Sequence, residues 1–325
     1  MGDIEQGLKT PPGSGRIDGV NEETWQAWQS AAGEMGFVEM GAAAAGAIQS
    51  PERVRQWVAR GFHADMRWFA ASLEKRCQPS LVMEDVASVI ILACPYYAEP
   101  VRLAGKKLAR YACGDDYHDV LLVKLKHLCA LMGEHYPDAH FRPYVDTGPV
   151  LERYWAQQSG LGWIGKNGNL ISRRHGSYIF LASILTNLVV PHGQPHGNFC
   201  GSCRACIDAC PTGAIVADGV VDSRKCISYM NIEHRGPFSQ APGFEDWIFG
   251  CDICQEVCPW PGKFSASEVL DALQPRPAYS QLQPAALAGM EQVDFSALFR
   301  KSPIKRTKMA GIKRNLTHLE QEVPT

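Results

Sequence analysis

The spacing of hydrophobic positions changes several times along the chain. From residue 25 to about 35, Trp25, Trp28 and Ala32 recur at helical intervals, and Gly33 and Gly36 mark a stop. Residues 51–71 predict a second amphipathic helix, with Pro51 in the first turn and Val54, Trp57 and Val58 on one face. Residues 86–93 are a short β-branched run, which predicts a buried strand. Helical spacing returns over 120–133, where Leu121, Leu122, Leu125, Leu128 and Leu131 form a broad apolar face. A strand is predicted at 141–145, a helix at 150–159, and one strand or two at 178–190. Helix and strand patterns thus alternate to about residue 195, as in a mixed α/β unit, without revealing strand order.

The pattern breaks at PHGQPHG, residues 191–197, which reads as a linker. A cysteine-rich stretch follows, and then a tail with Arg300, Lys301, Lys305, Arg306, Lys308, Lys313 and Arg314 and no acid between Arg300 and Arg314. The expected division is a flexible arm at 1–20, the α/β unit at 21–195, a ferredoxin-type unit at 196–262 and a helical basic segment at 263–325. The fold class expected is therefore α+β.

Composition narrows the classes. With 46% hydrophobic and 20% charged residues among 325, the chain is globular rather than disordered. A formal net charge of -2 excludes a polybasic nucleic-acid binder, so any such surface must be local. The longest apolar runs, 86–94 and 178–190, are too short to span a bilayer, and the first 20 residues hold no apolar core of a secretory signal. The expectation is a cytoplasmic monomer with no membrane partner, where thiols stay reduced.

The 12 cysteines sharpen this. Cys77, Cys94, Cys113 and Cys129 are scattered and read as packed or free thiols. The other eight lie between Cys200 and Cys258. Cys200, Cys203, Cys206 and Cys210, with Pro211, give C-x2-C-x2-C-x3-C-P, the spacing of a bacterial ferredoxin [4Fe–4S] block. Cys251, Cys254 and Cys258, with Pro259, give a second block of three, and Cys226 is free to complete it. In two-cluster proteins the fourth cysteine of a block crosses to the other cluster. The expected sets are Cys200, Cys203, Cys206 and Cys258 for one cluster, and Cys210, Cys226, Cys251 and Cys254 for the other. Structural zinc would call for paired C-x2-C knuckles and does not account for the two Cys-Pro endings.

Two other motifs compete. Gly160, Gly162 and Gly165, followed by Lys166 and Asn167, match G-x-G-x-x-G and nearly match a phosphate-binding loop. A helical segment precedes them where a strand is required, so a helix cap and tight turn is the plainer reading; a glycine turn against a large flat ligand is the functional one. Asp146 stands after a predicted strand and before Pro149. It is either a turn or cap residue, or an acid facing a pocket. A helix N-terminus would ionise it, and an apolar pocket would keep it protonated.

Several motifs together resemble one family. They are Glu74-Lys75-Arg76 with Pro79, Asp116-Tyr117-His118, the run from Asp146-Thr147-Gly148-Pro149 to Arg153, Gly165-Lys166-Asn167, Gly176-Ser177 with Leu181, and the CGSCRACIDACPTGAI block. Cys226-Ile227-Ser228-Tyr229, Glu233-His234-Arg235-Gly236 and Gly250-Cys251-Asp252 complete the set. In this order, from about residue 25 to 315, the chain resembles the epoxyqueuosine reductases. That resemblance implies an oxidoreductase of tRNA queuosine biosynthesis, dependent on cobalamin and two [4Fe–4S] clusters, with a cobalamin-binding α/β unit. It implies a tRNA with a GUN anticodon, met at its anticodon stem-loop, and an external low-potential electron donor. By the same resemblance Asp146 is the proton donor, and Arg76, Leu170, Leu181, Ser228 and Asp252 line the cobalamin site, with His118, Lys166 and Asn167 as neighbours. Ala109 departs from the residue types found there in relatives. Lys305, Arg306, Lys308, Lys313 and Arg314 are then the expected phosphate contacts. A reductive dehalogenase pairs the same cofactors but begins with a twin-arginine signal, and here Arg173-Arg174 is internal. A ferredoxin-type electron carrier would leave the whole stretch ahead of Cys200 without a role.

Overall fold

The computed structural model describes residues 15, 17, 19–264 and 269–322. Most of the arm expected at 1–20 lies outside these residues. Ile17 bridges Leu188 in parallel and Val20 is buried, so the end of that stretch is held against the α/β unit.

At the centre is a four-stranded antiparallel sheet. Its spatial order is Glu39–Ala44, Ser88–Pro95, Ile179–Thr186, Phe141–Tyr144. Ser88–Pro95 pairs with Ile179–Thr186 along its full length, from Ser88 opposite Thr186 to Pro95 opposite Ile179. Every residue of Ser88–Pro95 is buried. This inner strand is covered on both faces, which is why its sequence is a continuous apolar run rather than an alternation. On one face Ile90, Leu92, Phe180, Ala182 and Ile184 meet the helices Glu22–Glu34 and Tyr117–His135. On the other, Val89, Ile91 and Leu185 meet Trp155 and Ala156 of the helix Glu152–Gln158, with Leu161 and Leu170. The stretch 178–190 is one strand, Ile179–Thr186.

The helix expected over 51–71 is interrupted. It runs Pro51–Ala59, then turns, and resumes as Arg67–Ala71 and Leu73–Cys77. Gly61 and Ala64 take the left-handed conformation, at φ 67° and 50°, which no helix can carry. The break lets Trp57 donate its indole N–H to the Val221 carbonyl at 2.7 Å and pack edge-on to Phe69.

The segment 191–197 is not a free linker. The Gly193 N–H donates to the Ala42 carbonyl at 2.9 Å, covering the outer edge of the sheet. The glycine motif also has a structural purpose. Gly160 closes the helix Glu152–Gln158 at φ 82°, and a Cβ on Gly162 would strike the Ile171 carbonyl across the hairpin of Trp163–Ile164 and Leu170–Ile171. Those glycines make room for protein backbone. No strand leads into the motif and no helix follows it, so the phosphate-loop and dinucleotide readings fall away.

A further core joins parts far apart in sequence. Lys106–Leu108 pairs in parallel with Trp247–Phe249, and Leu103, Ala109 and Cys113 pack with Phe244, Phe249, Tyr279, Phe299, Ile312 and Leu316. Residues 101–113 thus belong, by packing, with the C-terminal helices. Cys77, Cys94 and Cys113 are buried and Cys129 half-buried; burial pushes the thiols of Cys94, Cys113 and Cys129 up to about 12, so they pack as apolar side chains. Among the described residues no helix is long and apolar enough to cross a membrane.

Candidate active site

Asp146 follows the edge strand Phe141–Tyr144 on a turn made by its own neighbours. Its φ is 56°, a left-handed conformation that Asp tolerates better than most side chains. Gly148 follows two residues on, where a Cβ would run into the Tyr144 ring. The turn delivers the Asp146 carboxylate to Tyr117 and His118, at the start of the long helix Tyr117–His135. The Tyr117 hydroxyl donates to Asp146 Oδ2 at 2.8 Å, and His118 Nε2 stands 3.5 Å from the same oxygen. Asp116 caps that helix by accepting the His118 N–H, and its Oδ1 lies 2.6 Å from His118 Nδ1. The imidazole is therefore held between two carboxylates. Below Asp146 is Glu152, whose Oε1 accepts the Asp146 N–H at 3.0 Å and the Ser183 hydroxyl at 3.3 Å.

The charges follow from this arrangement. Burial alone would lower the His118 imidazole, but its bonds to Asp116 and Asp146 outweigh that and push it up to about 9. Desolvation would raise the Asp146 carboxyl; the hydrogen bonds and charge of His118, the Tyr117 hydroxyl and the charge of Arg153 hold it below the usual carboxylate range. Glu152 goes the other way, raised by burial and by the Asp146 charge. The Asp146 side chain remains 63% exposed, so the carboxylate is reachable from outside. Neither environment offered by the sequence is the one found: the next helix starts only at Glu152, with Leu151 as its cap, and it is His118, Tyr117 and Arg153 that favour the ionised Asp146 carboxylate.

The remaining expected site residues fall into two groups. Arg76 is buried near Asp146 and Glu152. Its Nε donates to Ser72 Oγ at 3.0 Å, one terminal nitrogen reaches the Val150 carbonyl at 3.3 Å, and the guanidinium lies 4.6 Å from the Phe69 ring centre. No carboxylate among the described residues comes within ion-pair distance of it. Leu170 is buried, and Leu181 half-buried, on the same side of the sheet. The second group faces from the cysteine-rich part. Asn167 Nδ2 donates to the Cys254 carbonyl at 3.2 Å, and Lys166 Nζ is 3.6 Å from Asp218. Asp252 is buried and accepts the Arg110 N–H at 2.9 Å; burial pushes its carboxyl up to about 6 against that bond and the Arg110 charge. Ser228 sits in the first turn of Ile227–Ile232, just after Cys226. Tyr111, which packs against both cores, lies in the fields of both Asp146 and Asp252.

The eight clustered thiols sort by their electrostatic neighbours. Cys258 feels Cys200, Cys206 and Cys203. Cys251 feels Cys226 and Cys210, and Cys254 feels Cys251 and Cys226 more than Cys206. Among the described residues no three His, Cys, Asp or Glu side chains converge as the ligands of a single ion would. A cubane does not demand it, because each of its thiolates takes a different iron.

The basic tail divides. Arg314 is half-buried against the Phe238 ring and donates to the carbonyls of Met230, His234 and Gly236 at 2.9–3.1 Å. Reaching a phosphate would break several charge-assisted bonds of about 1.5–3 kcal/mol each. Its expected nucleic-acid contact is therefore withdrawn. Arg306 pairs with Glu233 at 2.7 Å and lies in the field of Asp146. Lys305 and Lys308 are exposed, and Lys313 half-buried.

Sequence reasoning missed Tyr117 and Glu152 as members of the site. Tyr117 adjoins the noted His118. Glu152 opens a helix, where an acid is ordinary, so only its return to the Asp146 backbone marks it out.

Known proteins resemble the chain over most of its length. Residues 76–147 match the family "Epoxyqueuosine reductase QueG, DUF1730", and residues 199–261 match "4Fe-4S double cluster binding domain". The epoxyqueuosine reductase of Synechocystis is 41% identical over 82% of this chain and 94% of its own. That of Cellulophaga algicola is 39% identical over 88% and 94%. An epoxyqueuosine reductase structure with an epoxyqueuosine-modified tRNA-Tyr stem loop superposes with a TM-score of 0.81 and 26% identity, over 91% of this chain and 80% of that one. The Streptococcus thermophilus enzyme gives 0.79 and 27%, over 91% and 80%. The chain belongs to the epoxyqueuosine reductase family.

Proposed function

We propose that this protein reduces the epoxide of epoxyqueuosine, in the wobble position of a tRNA with a GUN anticodon, to the alkene of queuosine. Two electrons and two protons enter, both epoxide C–O bonds break, and the oxygen leaves as water. The observation that carries the reading is the accessible Asp146 carboxylate, bonded to Tyr117 and faced by His118.

An opening epoxide oxygen becomes strongly basic, so a positioned acid lowers the barrier. Asp146 is the group that reaches outward. Its ionised resting state means that it acts as a relay: it takes the proton from His118 Nε2 and passes it to the oxygen. Asp116 holds the imidazole in place on its far nitrogen. Glu152 steadies the turn by accepting the Asp146 N–H and the Ser183 hydroxyl, and burial together with the Asp146 charge raises its own carboxyl. Tyr117 fixes the carboxylate oxygen toward His118.

The eight clustered cysteines would hold two [4Fe–4S] clusters, in the crossed sets that their mutual fields support. Cobalamin would lie between the two groups of side chains. It carries a phosphate and a rim of amides, and Arg76 offers a buried guanidinium with no acid in ion-pair distance among the described residues, while Leu170 and Leu181 offer apolar surface. Asn167, Ser228 and Asp252 would face it from the cysteine-rich side, with His118 and Lys166 nearby. When bound, cobalamin supplies a low-potential cobalt centre able to deliver electrons to the epoxide carbon. Lys305, Arg306, Lys308 and Lys313 would hold phosphates while the modified base meets Asp146.

The test is anaerobic protein, loaded with iron, sulfide and cobalamin, reduced chemically and given epoxyqueuosine tRNA. Nucleoside mass analysis is expected to show loss of one oxygen. Unchanged epoxyqueuosine, with cluster and corrin spectra intact, would sink the reading.

A further inference from the structure

The two cysteine sets differ in exposure. Cys203 is exposed on a turn where Gly201, Ser202 and Arg204 are exposed as well. The other set lies against buried Asp252 and Asn167. An electron arriving from outside meets the Cys203 set first.

The surface around Cys203 has an aromatic floor. The Trp163 indole N–H donates to Cys200 Sγ at 3.4 Å, and the ring packs edge-on against Phe199 and Trp260, with centres 5.1 and 4.8 Å away. Phe199 is 44% exposed, and Val257, beside Cys258, is 39% exposed. Cations stand over this floor. The Arg173 guanidinium lies 5.0 Å from the Phe199 ring centre, and the Lys263 ammonium lies 5.1 Å from that of Phe264, which stacks on Trp260. Arg174 is exposed beside Arg173 and, with it, lines a groove of about 730 Å³. The exposed acids among the described residues next to these cysteines are already engaged: Asp208 by Arg204 at 3.5 Å, Glu256 by Arg110 at 2.8 Å. Glu39, in the groove, is pushed up to about 7 by burial. Among the described residues Arg173, Arg174 and Lys263 make no ion pair, so the patch carries their positive charge on a chain whose net charge is -2.

An apolar centre rimmed by cations suits a partner that must arrive fast, touch closely and leave. We propose that this face docks a one-electron carrier protein whose own redox centre is ringed by acidic side chains, with Arg173, Arg174 and Lys263 steering it onto the Cys203 cluster. The proposal rests on the two-cluster reading above. In each encounter the carrier is oxidised by one electron and the cluster reduced by one, with no bond made and no proton moved. Two encounters supply the electrons for one epoxide.

The experiment compares the cluster-loaded wild type with the triple variant Arg173→Glu, Arg174→Glu, Lys263→Glu. Stopped-flow bleaching of the clusters is followed with a reduced acidic [2Fe–2S] ferredoxin, at low and at high salt. In the wild type the rate is expected to fall steeply as salt rises. In the variant it is expected to be at least tenfold lower at low salt and nearly independent of salt. Reduction by dithionite and methyl viologen, and tRNA binding, are expected to match between the two proteins. Equal ferredoxin rates would overturn the proposal. So would a matching loss with methyl viologen, which would assign the residues to folding, or a loss of tRNA binding, which would assign the patch to nucleic acid. A protein that takes up no iron overturns this proposal together with the reading beneath it. If clusters form but chemically reduced wild type leaves epoxyqueuosine unchanged, the proposed reaction fails, and the ferredoxin comparison still decides the docking face.

Discussion

The Tyr117 hydroxyl donates to the Asp146 oxygen that also faces His118 Nε2, at 2.8 and 3.5 Å. One carboxylate oxygen thus has a neutral donor that orients it and a charged donor that supplies it. That pairing separates two tasks often assigned to a single acid: holding the proton and delivering it.

Replacing Asp146 by Asn keeps the shape, and Asn accepts the same left-handed backbone. It removes the relay. Turnover of epoxyqueuosine tRNA is expected to fall about 10²–10⁴-fold, while cobalamin and cluster spectra and tRNA affinity stay as in the wild type. Single-turnover kinetics under chemical reductant check this, and wild-type rates would remove Asp146 from the proton path.

The pH profile tests the partner. The folded-state pKa of His118 is raised, so its proton is fully present below the ordinary imidazole range and is lost as pH rises through about 9. Turnover is expected to decline over that window. The bond to Asp116 and Asp146 contributes stability over the same range and fades with it. His118→Gln should lower the rate and abolish the alkaline decline. A variant that keeps the wild-type profile would assign the decline to another group.

Much of this was legible because it is local. The periods of 25–35, 120–133 and 141–145 marked real elements, and the cysteine spacing marked the 4Fe-4S double cluster binding domain matched over 199–261. What escaped depended on distant contacts. Gly61 and Ala64 cut the helix expected over 51–71 because Trp57 is needed at Val221. Residues 101–113 read as part of the α/β unit, yet they pack with helices that follow residue 277, and no local period encodes that. Arg314 looked like its lysine neighbours until the carbonyls of Met230, His234 and Gly236 accounted for it. Glu152 had the sequence of a helix start, and only the fold shows that its carboxylate accepts the Asp146 N–H.

Crossed ligation makes a prediction that uncrossed ligation does not. Cys258 lies in the second block but among the thiols of the first. Cys258→Ser is expected to impair the cluster of Cys200, Cys203 and Cys206, and Cys210→Ser that of Cys226, Cys251 and Cys254. The cluster on the exposed side should bleach fastest with a bulky surface reductant, so the two variants should lose different kinetic phases of bleaching and different electron paramagnetic resonance signals. Loss of the same phase in Cys258→Ser and Cys251→Ser would show that the second block holds its own cluster.

The basic tail separates phosphate contact from architecture. Lys305 and Lys308 are exposed and, among the described residues, no acid is in ion-pair distance of either. Each cation that meets a phosphate steepens the dependence of log affinity on log salt by about 0.7–0.9. Lys305→Gln with Lys308→Gln is therefore expected to weaken tRNA binding and flatten that slope by about one to two, with the melting temperature unchanged. Arg314→Gln should do the reverse. It leaves three carbonyls without their charged donor, which costs about 2–4 kcal/mol of stability and lowers the melting temperature while sparing the salt slope. Binding titrations across salt, paired with thermal melts, read both effects. A wild-type slope in the double lysine variant would show that the tRNA is held by another surface.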